Sequence, residues 1–238
     1  KTFTKKVYIQ GDLSDPTINY TENPDGTDSR GNPVYKFSYL TYDEMPVSVT
    51  AGNTDNTVSV KVNGVTKVAS GFSLAPDSTY TISVVQSRKY CKTTPAYERT
   101  VAVKIKTVTV TSGQASMYCD FADGAGDTNE MCGRIYLGKN NSYEEIYSFD
   151  EENFPERDWK NFSSTSKTLH LSNTRDSICY KSDGMYEHDS TSDNDDCANA
   201  SGTISLSTLK TKPSPFTYEI WGYGNNPIGL RIVLNFSD

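Results

Sequence analysis

Several signatures of common protein classes are absent from this chain of 238 residues. No apolar run approaches the ~20 residues that a membrane helix needs, so we expect no transmembrane segment. The chain has two histidines, no Cys-x-x-Cys pair and neither an HExxH nor a Gly-x-Ser-x-Gly motif, so the usual marks of zinc sites and hydrolases are missing. Its net charge of −7 argues against nucleic acid, whose phosphates require Lys and Arg. We therefore expect a protein that is not an enzyme and does not bind nucleic acid.

The residues that are present favour β-structure. Alanine is scarce, Thr, Ser and Val are common, and 16 residues are Tyr, a composition typical of strands. Apolar and polar residues alternate, as in strands with one buried face, at residues 57–62, 79–85, 98–105, 133–137, 167–171, 202–206, 216–221 and 228–236. One short helix is predicted at residues 155–162, because Pro155 suits a first helical position and Trp159 and Phe162 could share a face. The predicted fold class is all-β, with two tandem β-sandwich domains.

A domain boundary is predicted near the end of the third of these strands. The apolar residues of segment 101–105 have odd numbers, whereas Val108 and Val110 have even ones, and a slip of one residue turns a strand inside out. The charge changes at the same place, because residues 1–107 carry a net charge of +3 and residues 108–238 carry −10. We therefore assign residues 1–107 to a first sandwich and residues 108–238 to an acidic second sandwich.

The segment Leu74-Ala-Pro-Asp-Ser-Thr-Tyr80 resembles the corner before strand F of fibronectin type III and related immunoglobulin-like domains. Those modules favour Leu, then Pro two residues later, then Tyr four residues beyond, and the Tyr hydroxyl bonds to nearby backbone. The resemblance covers roughly residues 57–105. It implies an immunoglobulin-like sandwich for the first domain, with a binding or spacer role.

Four of the five cysteines bound two segments of the second half. Disulfides Cys119–Cys132 and Cys179–Cys197 are the simplest pairing and would close loops of 14 and 19 residues, each contributing ~3 kcal/mol in the chain-entropy estimate. A crossed pairing stays open, and Cys91 is left over. Because disulfides persist in oxidising compartments, we expect an extracellular, cell-surface or periplasmic location.

Carboxylates crowd the same two segments. The first contains Asp120, Asp123, Asp127 and Glu130, and the second contains six acidic residues, among them Asp193, Asp195 and Asp196. Close carboxylates repel one another, and either full exposure to water or a hard cation relieves the repulsion. The sequence therefore predicts either two solvated surface loops or a calcium site formed by these seven residues.

A second resemblance concerns residues 178–209. A strand, an Asp-rich loop that ends Asp193-Asn-Asp-Asp196 and the strand Gly202-Thr-Ile-Ser-Leu206 resemble the third calcium loop of C2 domains. In that family the Asp residues of the loop bind calcium. The resemblance implies calcium-dependent lipid binding as one alternative function.

Aromatic residues suggest another alternative. Phe216, Tyr218 and Ile220 share one strand face, whereas Trp221 and Tyr223 have the opposite parity. Exposed Trp and Tyr rings offer flat apolar area to sugar rings. Trp221 and Tyr223 are therefore candidate carbohydrate-binding residues. The alternative for Trp221 is that it packs in the core.

These observations lead us to expect a secreted or cell-surface, non-catalytic binding or adhesion protein. Its second domain would present binding loops to a host or cell-surface protein or to a glycan, with calcium as a candidate organiser of the loops. The alternatives are a carbohydrate-binding module and a C2-like, calcium-dependent lipid binder.

Overall fold

The computed structural model describes residues 14–88, 93–120, 129–162, 166–188 and 195–238. Nearly all of its regular structure is strand, which confirms the predicted all-β sandwich fold. Each of the strands predicted from the alternation of residues forms. Among the described residues, no helix has the length and apolar character needed to cross a membrane.

The strands are numbered in chain order. Those of the first half are β1 (Thr17–Tyr20), β2 (Pro24–Thr27), β3 (Pro33–Phe37), β4 (Met45–Thr50), β5 (Thr57–Val62), β6 (Val65–Lys67), β7 (Phe72–Leu74), β8 (Ser78–Ser87) and β9 (Tyr97–Ile105). Those of the second half are β10 (Val108–Cys119), β11 (Asn129–Lys139), β12 (Ser142–Phe154), β13 (Trp159–Phe162), β14 (Thr168–Leu171), β15 (Ser177–Glu187), β16 (Asp195–Asp196), β17 (Ser201–Ser205), β18 (Phe216–Gly222) and β19 (Ile228–Ser237). A four-residue helix, α1 (Leu206–Leu209), follows β17.

The chain divides into two compact units, Lys1–Lys106 and Thr107–Asp238. The first contains a three-stranded sheet of order β1-β4-β7 and a six-stranded sheet of order β2-β3-β9-β8-β5-β6. The second contains two sheets that we name after their central strands. The β10 sheet has the order β13-β10-β19-β18, with β14 also on β10, and the β11 sheet has the order β12-β11-β15-β16, with β17 also on β15.

The first unit contains a hydrogen bond from Tyr80 to nearby backbone, as the resemblance implied, and we call this turn the Tyr80 corner. Tyr80 lies near the start of β8, and its hydroxyl donates a hydrogen bond to the carbonyl oxygen of Ala75 at 3.2 Å. Further along β8, Ile82 and Val84 are fully buried. The bond therefore ties the turn between β7 and β8 to a strand that is anchored in the core.

The two sheets of the second unit meet through aromatic side chains. The ring centroid of Phe162, in the β10 sheet, lies 6.3 Å from that of Phe149 and 6.2 Å from that of Phe154, both in the β11 sheet. Tyr180 of β15 is fully buried, and its hydroxyl donates to the Arg231 carbonyl of β19 at 3.1 Å. Because a buried hydroxyl requires a partner, this bond also favours one relative position of the two sheets.

The helix prediction for residues 155–162 is wrong, because Trp159–Phe162 form β13 instead. In the antiparallel pairing with β10, Phe162 is opposite Ala115 and Trp159 is opposite Tyr118. Side chains alternate along a strand, so Phe162 is buried in the core while Trp159 lies on the opposite face. Pairing with a distant strand overrides the local helix signal.

Asp176, a carboxylate that is only 6% exposed, holds one end of the second unit together. It accepts hydrogen bonds from Asn140 Nδ2 at 2.8 Å and from the backbone nitrogens of Ser172 at 2.8 Å and Asn173 at 3.2 Å. Lys139 Nζ lies 2.6 Å from Oδ2, the oxygen that also accepts from Ser172 and Asn173. Burial alone raises the pKa of a carboxyl group, but the hydrogen bonds and the Lys139 charge outweigh burial and lower the pKa of Asp176.

Tyr80→Phe is expected to lower the free energy of unfolding of the first unit by about 1 kcal/mol, because it removes one hydrogen bond and keeps the ring. Urea unfolding measures the change. Tyr42→Phe is the matched control, since Tyr42 is 37% exposed and a surface substitution should cost less than about 0.5 kcal/mol. Equal effects of the two substitutions would contradict a stabilising corner.

Asp176→Asn should destabilise the protein by about 2 kcal/mol at neutral pH, since hydrogen bonds to a charged group are lost. The folded-state pKa lies below the unfolded value near 3.9, so the contribution of Asp176 is present above that value and is lost as pH falls through the folded-state pKa. The difference between wild type and variant should therefore shrink below about pH 4. Glu144→Gln, at an exposed ion pair with Lys167, is the control. A stability difference that is constant from pH 7 to pH 2 would exclude this linkage.

Candidate functional site

Neither predicted disulfide forms, and Cys119, Cys132, Cys179 and Cys197 are buried thiols. The Cys179–Cys197 prediction fails on distance. The backbone nitrogen of Cys197 donates to the Met185 carbonyl at 3.1 Å, and Met185 is six residues along β15 from Cys179, which is about 20 Å. A disulfide needs Cα atoms within about 7 Å.

The Cys119–Cys132 prediction fails on direction. Cys119 ends β10 on the inner face, where Met117 is also fully buried. Cys132 lies in the other sheet, and its sulfur accepts a hydrogen bond from the Glu151 backbone nitrogen at 3.2 Å. It belongs to the lining of a groove on the outer face of that sheet. Cys91 lies outside the described residues.

The predicted calcium ligands are only partly described. Asp123, Asp127 and Asp193 lie outside the described residues, and Asp195 is placed by its backbone pairing with Glu187. Asp120 is exposed and lies 3.8 Å from Arg157, and Asp196 is exposed. Within the described ranges, no group of three or more His, Cys, Asp or Glu residues could hold a metal ion. The calcium site stays a prediction.

The described ends of the two acidic loops nevertheless meet. Glu130 is the last acidic residue of the first segment and His188 lies within the second, and the backbone nitrogen of His188 donates to the Glu130 carbonyl at 2.7 Å. The His188 ring lies 3.8 Å from the Glu130 carboxylate and 3.4 Å from that of Glu151. The first loop therefore ends, and the second begins, at the same end of the β11 sheet, which the sequence did not predict.

Trp221 belongs to a row of aromatic side chains on the outer face of the β10 sheet. Trp159, Tyr118, Gly229 and Trp221 lie opposite one another on four successive strands. The Tyr118 centroid is 5.5 Å from that of each Trp, and the two Trp centroids are 6.0 Å apart. A Cβ at Gly229 would lie 3.0 Å from both indoles, so glycine is what lets them meet. Tyr223, beyond the end of β18, is 84% exposed.

Polar groups of the next row already engage these rings. The Arg231 guanidinium carbon lies 3.6 Å from the Trp159 centroid. Its Nε donates to Glu219 at 2.5 Å, and Glu219 also accepts from Trp221 Nε1 at 2.7 Å. The hydrogen bond from Arg231 lowers the pKa of Glu219. One ring face and one indole N–H of the row are thus occupied by the protein itself.

A groove of about 730 Å³ opens on the outer face of the β11 sheet. The register of β11 shifts between Met131 and Gly133 against β12, and again at Gly133 against β15. Gly133 has a φ of +150° and Gly184 one of +60°, and a Cβ at Gly133 would overlap the Met185 sulfur. Two glycines without side chains, at a bulge shared by three strands, therefore create the depression.

Rings and charged groups of both signs line this groove. Arg134 Nε lies 3.8 Å from the Glu145 carboxylate, and the hydrogen bond with Tyr136, with smaller contributions from Glu145 and Asp183, raises the pKa of Arg134. Tyr186 lies in the same lining. The groove thus offers hydrogen-bond donors, acceptors and flat apolar surfaces within a few ångströms of each other.

Lys181 lies next to two residues of the groove lining, Asp183 and Tyr136. Its Nζ lies 3.2 Å from Asp183, and 5.1 and 5.0 Å from the ring centroids of Tyr136 and Tyr143. A cation over these rings holds them in place. Of the three acidic residues that line the groove, Glu145 pairs with Arg134 on the neighbouring strand and Asp183 pairs with Lys181 on its own strand, and the third is Asp150.

The sequence did not identify the groove residues, because Arg134 and Tyr136 look like ordinary outward positions of a strand. The sequence signal that could have indicated the groove is the pair Gly133 and Gly184. An isolated glycine within a strand marks a bulge or a close approach of backbones. Nothing in the sequence says that both glycines lie at the same level of one sheet.

Comparison with protein family models, with curated proteins and with solved structures finds no match to this chain. The function therefore has to follow from the chemistry of its own residues.

Calcium is expected to raise the melting temperature, because a ligand that binds only the folded state stabilises it by mass action. Asp123→Asn combined with Asp127→Asn should reduce the rise, whereas Asp25→Asn, at an exposed ion pair with Lys36, should leave it unchanged. Thermal scans in excess chelator and in millimolar calcium measure the effect. Magnesium at equal ionic strength screens the same repulsion, so an equal shift with magnesium would remove the calcium site.

Proposed function

We propose that this is an extracellular, non-catalytic binding protein whose second unit recognises carbohydrate in the groove on the β11 sheet. The observation that carries the proposal is the lining of the groove, which combines the charged residues Arg134, Glu145 and Asp183 with the rings of Tyr136 and Tyr186. A volume of about 730 Å³ falls in the range typical of small-ligand sites.

Sugars match this combination of groups. Their hydroxyls both donate and accept hydrogen bonds, so they need a site with fixed donors and fixed acceptors. Arg134 supplies donors in a planar fork, whereas Glu145 and Asp183 supply acceptors. The apolar C–H faces of a sugar ring pack on flat aromatic surfaces, which Tyr136 and Tyr186 provide.

The aromatic row of the β10 sheet is the alternative carbohydrate surface, and its geometry supports it less. Arg231 lies over the face of Trp159, and Glu219 holds the indole N–H of Trp221. A sugar would have to displace these contacts before it could stack on the row. Tyr223 is the freely exposed ring on this side and is therefore the residue with which to test it.

Two carboxylates of the groove suit the recognition of hydroxyl groups, because each lies beside a cation. Glu145 lies 3.8 Å from Arg134 and Asp183 lies 3.2 Å from Lys181. A sugar hydroxyl can therefore meet a hydrogen-bond acceptor and a donor at the same point.

We propose an immunoglobulin-like or fibronectin type III-like module for the first unit. The sheet order β1-β4-β7 opposite a sheet containing β6-β5-β8-β9 supports this, as does the Tyr80 corner. In those families such a module binds or acts as a spacer. Here it would present the groove of the second unit at a surface.

The predicted calcium site would lie at one end of the β11 sheet, which also carries the groove. Glu130 is the second residue of β11, the strand that also carries Arg134 of the groove. Its carbonyl accepts a hydrogen bond from the His188 backbone nitrogen. Calcium bound by the two acidic loops would order chain segments at the end of β11 and β15, the strands that carry Arg134 and Asp183. Carbohydrate binding would then depend on calcium, and a C2-like lipid role would instead place the ligand on the loops.

A panel of immobilised oligosaccharides, probed with labelled protein with and without calcium, tests the proposal. Arg134→Ala should weaken binding about 10- to 100-fold, the equivalent of losing a charge-assisted hydrogen bond. Tyr136→Phe should retain most binding through the ring, whereas Tyr136→Ala should lose it.

Tyr223→Ala is the matched control on the opposite sheet and should bind like wild type. Loss of binding in Tyr223→Ala with retention in Arg134→Ala would move the site to the aromatic row. Absence of binding to every oligosaccharide, together with binding to anionic lipid vesicles in calcium, would replace the proposal with the lipid alternative.

A further inference from the structure

Two cysteines of the second unit lie at the same end of the sandwich on different sheets. Cys119 is the last residue of β10, and Cys197 directly follows β16 of the β11 sheet. They are 0% and 8% exposed. Both sulfur atoms are therefore shielded from solvent, although nearly 80 residues of chain separate the two positions.

One dipeptide joins the segments that carry these cysteines. The backbone nitrogen of Asp120 donates to the Pro227 carbonyl at 3.0 Å, and that of Ala198 donates to the Asn226 carbonyl at 3.0 Å. Asn226 Nδ2 also donates to the Asp196 carbonyl at 3.3 Å. Consecutive residues of one turn thus hold the residue after Cys119 and the residues on both sides of Cys197.

The two side chains also influence each other. Cys119 shares the inner face of β10 with Met117, which is fully buried. Burial raises the pKa of Cys119 to about 12, and the charge of a neighbouring Cys197 thiolate adds to the increase. Charges act over several ångströms in a medium of low polarity, so this effect agrees with the shared turn in placing the two cysteines in one region.

We infer that Cys119 and Cys197 form a disulfide that links the β10 sheet to the β11 sheet when the protein folds in an oxidising environment. The oxidant is a low-molecular-weight disulfide such as glutathione disulfide. One cysteine thiolate attacks it and releases one glutathione thiol, and the second cysteine then displaces the other glutathione. Two protein thiols are oxidised, one glutathione disulfide is reduced to two thiols, and the two cysteine protons pass to the glutathione products.

The other described cysteines occupy places that exclude them from this link. Cys132 lies on the outer face of its sheet and accepts from the Glu151 backbone. Cys179 lies six residues along β15 from the Met185 position that Cys197 contacts, about 20 Å away, and its sulfur accepts from the Asn141 backbone at 3.3 Å. These two should remain thiols under conditions that oxidise Cys119 and Cys197.

Refolding of the full chain in a glutathione redox buffer tests the inference. A buried thiol of raised pKa reacts slowly, so oxidation is carried out during folding rather than on the native protein. Non-reducing peptide mapping should show Cys119 linked to Cys197, with Cys132 and Cys179 alkylated as thiols. The oxidised protein should melt about 10 °C above the reduced one, since the link closes a long loop.

Variants separate this link from general effects of oxidation. Cys197→Ala should abolish the redox dependence of the melting temperature, whereas Cys132→Ala and Cys179→Ala should keep it. A different cysteine pair in the map, or full alkylation of Cys119 and Cys197 after refolding, would overturn the inference. Because the map is made on the wild-type chain, it decides the matter even where a variant fails to fold.

Discussion

The groove of the second unit depends on one constraint, the break in register of β11 at Gly133. β11 is the central strand of its sheet and pairs with both β12 and β15, so a shift there changes both ladders at once. The backbone reaches a φ of +150° beside the Met185 sulfur, a place that excludes any Cβ. The same break turns Arg134 and Tyr136 outward and keeps Ile135 in the core.

The parts of the fold that follow from local residues were predictable, and those that follow from distant pairing were not. Alternation along one segment is a property of that segment, so strands such as residues 57–62 and 228–236 could be predicted. The Tyr80 corner is likewise local, since donor and acceptor are five residues apart. β13 is different, because its partner β10 lies about 40 residues earlier. The groove is harder still to predict, since its lining comes from three strands, β11, β12 and β15, that must be aligned side by side.

The excess of carboxylates in the second unit does not have a single role. Asp176 is buried and shares hydrogen bonds with backbone and Lys139. Glu145 and Asp183 line the groove beside cations. Glu130 marks the place where the two acidic loops meet. A count of charges along the chain identifies the loops but not the groove, because residues that face one another across strands are far apart in sequence.

The cysteines show the same difference between nearness along the chain and nearness in space. The spacing in the sequence favours disulfides that close short loops, Cys119–Cys132 and Cys179–Cys197. In the fold, β-pairing instead keeps the two cysteines of each pair apart. The Asn226–Pro227 turn instead joins the residue after Cys119 to the residues on both sides of Cys197. A link at this point would remove more disorder from the unfolded chain than either short loop. It would also hold together the end of the sandwich where the acidic loops begin, against the repulsion of their carboxylates.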